Sequence, residues 1–270
     1  MKHGAKRCLT RGQCAAMLTF LVALPLFALI LLLPLRTVYK NTPLSEAATE
    51  IGKVRTALLL VHDEYNQLTG AVCVKIDTVR MCVDVIAYPK QTEVTNKTSV
   101  LTLKECYSTA GAKSAERLAE VTKESYDTVL RFSANGVGEF VSLMGGGVTY
   151  TLTETMGLLN AGEQWLTSQQ LTELLSYNGW SDPIKTQAET HCGVIAAIVN
   201  AFLLPQYDLT TSFNALTTVC EDRLTIAQFT AIKEEFQKLA KSNTNGVCRM
   251  RVATGEVVGI GSNERYVLTE

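Results

Sequence analysis

The sequence is short of the residues that most metal and hydrolytic chemistry needs. It holds only three histidines, His3, His62 and His191, and no CxxC among its eight cysteines. The tight ligand grouping of a zinc site is therefore missing. No serine elbow accompanies His62 or His191, which leaves Ser–His–Asp catalysis without support. Acidic side chains are absent before Glu46. Beyond position 36 the balance reverses, with 26 acidic against 20 basic residues and a formal charge of −6. That disfavours nucleic acid as a partner, because its phosphates are held by Lys and Arg.

What the N-terminus has in abundance is apolar surface. From Ala15 to Leu35 only Thr19, Pro25 and Pro34 interrupt an uncharged apolar run. Its length matches the roughly 20 residues that cross a hydrocarbon core about 30 Å thick. Lys2, Lys6, Arg7 and Arg11 precede it, and Arg36 and Lys40 follow. The larger positive cluster stays in the cytoplasm, so the rest of the chain is expected outside, held by a single-pass anchor in the cell membrane. A cleaved signal peptide would have a shorter apolar region and a small-x-small site. The segment Pro34-Leu35-Arg36-Thr37-Val38-Tyr39 offers none. The expected organisation is a cytoplasmic tail over residues 1–14, a transmembrane helix over 15–35 and a stalk over 36–53. A folded domain over 54–255 and a C-terminal tail over 256–270 complete it.

In the outer part, Ala57–Val61 is a short apolar run of the kind a strand buried on both faces shows. Ala71–Ile76 and Met81–Ala87 read as strands joined by a tight turn at Asp77-Thr78, which would set Cys73 opposite Cys82 as a candidate disulfide. The alternative is that the outer cysteines are buried thiols. Ala112–Glu124 has helical composition, and Asp127–Phe132 reads as a strand. Val137, Phe140, Val141 and Met144 recur at helical spacing up to the stop Gly145-Gly146-Gly147, after which Val148–Leu152 is a strand. Ser168–Ser176 and the apolar face from Val194 to Phe202 predict two helices. Thr225-Ile226-Ala227-Gln228 fits a capping box, behind which Phe229, Ile232, Phe236 and Leu239 form a stripe. Val247–Val252 closes the series as a strand. Interleaved strands and helices predict an α/β class, a mixed central sheet flanked by helices as an α/β/α sandwich.

This order of elements resembles the LytR–CpsA–Psr (LCP) family, over about residues 54–255. Thr56-Ala57-Leu58-Leu59-Leu60-Val61-His62-Asp63 is similar to the family's opening strand, which ends in Gly-x-Asp. Tyr88-Pro89-Lys90-Gln91-Thr92 stands where the family has Ile-Pro-Arg-Asp-Thr. Glu139–Val148 looks like its helix and Gly-Gly-Val strand entry, and Leu159–Leu166 like the segment before its next helix. Asp182-Pro183-Ile184-Lys185 opens the long helix. The resemblance implies a membrane-anchored extracytoplasmic protein of the bacterial cell envelope. Active members transfer glycopolymers from a polyisoprenyl (pyro)phosphate carrier to the cell wall, using magnesium with Arg and Asp side chains.

The chain departs from the family where that chemistry resides. Gln67-Leu68-Thr69-Gly70 replaces Arg-Ser-Asp-Thr, and Pro89-Lys90-Gln91 replaces Pro-Arg-Asp. Tyr177-Asn178-Gly179-Trp180 and Lys185-Thr186-Gln187-Ala188 stand where the family carries further arginines. Asp63 remains as the one candidate magnesium ligand, with Lys90 and Lys185 as candidate ligand contacts. Lysine is a point charge and cannot reproduce a bidentate guanidinium clamp on phosphate. The expected function is a non-catalytic envelope protein, without a resident cofactor, that binds a polyisoprenyl-linked glycopolymer or an envelope partner. The alternatives are an active magnesium-dependent phosphotransferase and an unrelated α/β surface-binding protein.

Overall fold

The computed structural model describes residues 54–96, 99–202, 208–242, 248–259 and 261–269. The tail, apolar run and stalk expected over residues 1–53 lie outside them. Among the described residues, no helix is long and apolar enough to cross a membrane.

The chain begins with β1 (Val54–His62), β2 (Leu68–Asp77) and β3 (Cys82–Tyr88), followed by a small hairpin of β4 (Glu93–Asn96) and β5 (Ser99–Thr102). Helices α1 (Leu103–Ala110) and α2 (Ser114–Thr122) lead to β6 (Thr128–Ser133) and α3 (Ala134–Met144). The hairpin β7 (Gly147–Leu152) and β8 (Gly162–Thr167) precedes α4 (Ser168–Ser176). Then come α5 (Lys185–Phe202), α6 (Leu209–Val219), α7 (Ile226–Ser242) and β9 (Cys248–Val252). A last hairpin joins β10 (Gly255–Val258) to β11 (Arg265–Leu268).

The central sheet runs β6-β1-β2-β3-β9. Only β2 is antiparallel to its neighbours, so β1, β3, β6 and β9 all end at the same edge. The continuous apolar character of β1 to β3 follows from burial on both faces. Val72, Val74, Val83 and Val85 pack towards the α3, α4 and α5 side, with Val141, Leu174 and Val194. Their alternates Ala71, Cys73, Ile86 and Tyr88 meet Leu103, Tyr107 and Leu118 of α1 and α2. The expected mixed sheet flanked by helices is what forms.

Local sequence rules account for many boundaries. Thr167 and Gln170 cap each other's backbone N–H groups at the start of α4. Thr225 and Gln228 do the same for α7, at 3.1 and 3.3 Å. Helix α3 stops at Gly145, whose N–H still reaches the Val141 carbonyl.

Two expectations need correction. Cys73 lies opposite Ile86, and Cys82 opposite Asp77, so the two cysteines do not face each other. They stand four ladder positions apart, about 13 Å along the strands, and both are buried free thiols. The cause is a longer turn than Asp77-Thr78. The Asp77 carboxylate accepts from the N–H groups of Val79 and Arg80, and Met81 takes a left-handed φ of 52°. The segment expected as a tail from residue 256 is instead the β10–β11 hairpin. Tyr266 is buried there, with its hydroxyl donating to the Ala253 carbonyl at 2.8 Å and its N–H to Gln91.

Candidate functional site

The common C-terminal edge of β1, β3, β6 and β9 is where an open α/β sheet leaves room for chemistry. Here β1 delivers His62 and Asp63, and β3 delivers Pro89 and Lys90. Asp63 organises its own loop: its Oδ1 accepts from the N–H groups of Tyr65 and Gln67, at 2.9 and 2.8 Å. Lys90 is partly buried, and its ammonium donates to Asn178 Oδ1 at 2.7 Å. Burial pushes this amine down to about 8, Lys104 pushes the same way, and Asp63 pulls against both. Asp63 and Lys90 thus stand close enough for the carboxylate's charge to act on the amine. Lys185 is not part of the cluster; it is exposed at the first position of α5.

Helix α5 supplies the floor of this corner. The buried Gln187 donates through Nε2 to the Tyr177 carbonyl and, at 3.4 Å, to Asn178 Oδ1. One turn on, His191 is 1% exposed. Its Nδ1 lies 2.9 Å from the Gln187 carbonyl, and its Nε2 3.4 Å from Thr69 Oγ1. Burial lowers this imidazole to about 4, against the Gln187 hydrogen bond, and the nearby Lys90 adds to the fall. The neutral ring therefore donates from Nδ1. Gly70 makes room for it: a Cβ there would lie 2.3 Å from His191 Cδ2. Asn178, Gln187, Thr69 and Gly70 all fall in segments where the resembled family carries charged residues. Tertiary structure does gather those segments around Lys90, but as neutral side chains.

Beside the corner lies a second charged knot. His62 Nε2 is 2.7 Å from Glu221 Oε1, its Nδ1 2.8 Å from the Asp63 carbonyl, and its ring stacks on Tyr107. Arg131, on β6, is held by Asp222 at 3.0 Å and by Glu221 at 3.6 Å. The Asp222 carboxylate also accepts from the Arg131 N–H. This guanidinium is already neutralised within the fold. Arg249 and Arg251 sit on β9 opposite Asp84 and Ile86, short of the strand ends.

As a magnesium ligand the corner offers the Asp63 carboxylate. Asp63 is a single carboxylate with one oxygen engaged by its loop. Among the described residues, no group of three His, Cys, Asp or Glu side chains is placed to hold a metal. Such ions are ordinarily held by one or two carboxylates together with substrate phosphates.

A cleft of about 920 Å³ opens further along α5, bounded by the β7–β8 hairpin and by β9. Gly193, Ala196 and Ala197 keep the helix face low, while Trp165, Glu163 and Arg251 stand at its walls. Sequence reading missed this cleft, because β8 carries alternating exposed residues and its partners are distant in the chain. A helix face with small residues at Gly193, Ala196, Ala197 and Ala201 is the signal that could have found it.

No family model and no curated relative matches the chain. Solved structures do match. Bacillus subtilis TagV aligns with a TM-score of 0.63 at 14% identity, over 80% of this chain and 90% of its own. Bacillus subtilis TagU aligns with a TM-score of 0.56 at 13% identity, over 81% and 91%. A transcriptional regulator from Enterococcus faecalis gives 0.64 at 16% identity, over 80% and 82%. TagV and TagU are LCP-family proteins. The folded part of this chain has the LytR–CpsA–Psr fold.

Proposed function

We propose that this protein is a membrane-tethered envelope module that binds a polyisoprenyl-linked glycopolymer without transferring it. Residues 15–35 are its anchor, with the N-terminus cytoplasmic and the LCP-like domain outside. The observation that carries the reading is the state of positive charge at the strand ends. Phosphoryl transfer is catalysed by positioning and by charge stabilisation from metal ions and guanidinium groups. The corner offers Lys90, whose amine is weakened as a base by burial and by the neighbouring Lys104, and whose ammonium is bonded to Asn178. The arginine on β6 is occupied by Asp222 and Glu221. Asp63 shapes a loop. A diphosphate placed here would meet polar groups and little net charge, which suits holding a headgroup better than breaking its bond.

The test uses the full chain in lipid nanodiscs, given magnesium and a polyisoprenyl-pyrophosphate saccharide. Retention of the lipid with no phosphate release is expected. Release that disappears in Asp63→Ala would establish the active phosphotransferase instead. Failure to retain the lipid at all would leave a plain surface-binding protein.

A further inference from the structure

We infer that the cleft along α5 is a saccharide-binding site for uncharged sugar residues, with Trp165 as its stacking platform. The inference rests on the reading of the protein as a glycopolymer-binding module, and it assigns the sugar chain to a place apart from the strand-end corner.

Trp165 is 59% exposed, although an indole is among the largest apolar surfaces a side chain can present. It is nonetheless held in place. On the β7–β8 ladder it stands opposite Thr149, and its ring lies over the backbone of Gly147. A Cβ at Gly147 would come within 2.4 Å of the indole Nε1 and 2.6 Å of the Leu166 carbonyl. Glycine here serves close approach rather than an unusual backbone angle. The indole is thus set against a strand and stands exposed at the cleft.

Around that platform the walls interleave hydrogen-bonding groups with apolar side chains such as Val148, Cys248 and Met250. Thr149 and Thr151 share the outward face of the hairpin with Glu163, which pairs with Thr151. Glu189 and Asn200 line the facing side of α5, and Arg251 comes from β9. A flat aromatic ring ringed by hydroxyls, carboxylates and an amide suits a pyranose. The sugar's axial C–H groups lie on the ring while its equatorial hydroxyls find acceptors and donors. An isoprenoid tail would desolvate those polar groups without replacing their hydrogen bonds. A phosphate-bearing polymer would meet Glu163 and Glu189 against the single guanidinium of Arg251. The cleft's size also lies within the range of small-ligand sites.

The test is a fluorescence titration of the full chain with an N-acetylglucosamine tetramer. The chain has two tryptophans, and Trp180 is buried, so a change in emission reports on Trp165. A blue shift that saturates is expected, with affinity about tenfold lower in Trp165→Ala by calorimetry. Trp165→Phe should keep most of it, and Ala197→Trp, which fills the cleft, should abolish it. Unaltered calorimetric binding in Trp165→Ala, or no binding of this tetramer or a neutral glucan tetramer, would overturn the assignment. So would tighter binding of a phosphate-containing polymer, or displacement of the tetramer by a polyisoprenyl alcohol. Nanodisc retention of the lipid-linked saccharide is scored separately. Retention with no tetramer binding sinks only the cleft assignment, and phosphate release sinks only the non-catalytic reading.

Discussion

The strand-end corner and the cleft share α5, yet the helix gives them opposite surfaces. Towards the corner it sends Gln187 and His191, both almost fully buried and both bonded within the fold. Towards the cleft it sends Gly193, Ala196 and Ala197, small residues without side-chain hydrogen-bonding groups. In the corner the polar groups bond to each other. The cleft leaves an indole and exposed polar side chains facing solvent. Side chains bonded to one another stabilise a fold, whereas open ones are available to a ligand.

That contrast can be tested by perturbing each region. The largest effect should come from acid. His191 is held near 4 in the folded protein, below the ordinary histidine value of 6.5. The unfolded chain therefore binds more protons between those limits. Stability from the buried neutral ring is complete above about pH 6.5 and lost as pH falls to about 4, amounting to about 3 kcal/mol. Urea unfolding across that window should show the decline, and His191→Gln should flatten it. A decline of the same size in His191→Gln would mean that the corner is not the acid-sensitive part.

Gly70→Ala forces a methyl group into the His191 ring and should destabilise by about 1–3 kcal/mol in the same assay. Thr225→Ala, remote from both regions, removes one half of a capping box and should cost about 1 kcal/mol. It calibrates the local contribution against the two tertiary ones. The smallest change is expected at the cleft. Trp165→Ala removes an exposed ring and should leave stability within about 0.5 kcal/mol of the parent protein. A larger loss would make Trp165 a packing residue and remove the contrast. Chemical acylation offers one further comparison, because Lys90 should titrate with a midpoint near 8, below the ordinary lysine value of 10.5.

Much of the scaffold was legible from residue order. The apolar runs of β1 to β3, the Gly145 stop and the Thr225–Gln228 box are local signals, and each forms as its chemistry requires. The short helix α1, the β4–β5 hairpin and the C-terminal hairpin were not legible. Their apolar anchors, such as Leu103 and Tyr266, are few, and their burial depends on distant partners. The hairpin register escaped for a related reason: Asp77 captures two backbone N–H groups and lengthens the turn, which separates Cys73 from Cys82.

The sequence by itself determined the α/β order, the apolar N-terminal run and the absence of arginine from the segments where the resembled family carries it. Those are matters of periodicity and composition, carried by neighbours along the chain. Only tertiary structure decided that Lys90 bonds to Asn178 while Lys185 stays in solvent, and that Arg131 is taken by Asp222. It alone set Trp165 across a cleft from α5. Such pairings depend on which strand edges and helix faces close on one another, a choice made by burial of the whole sheet.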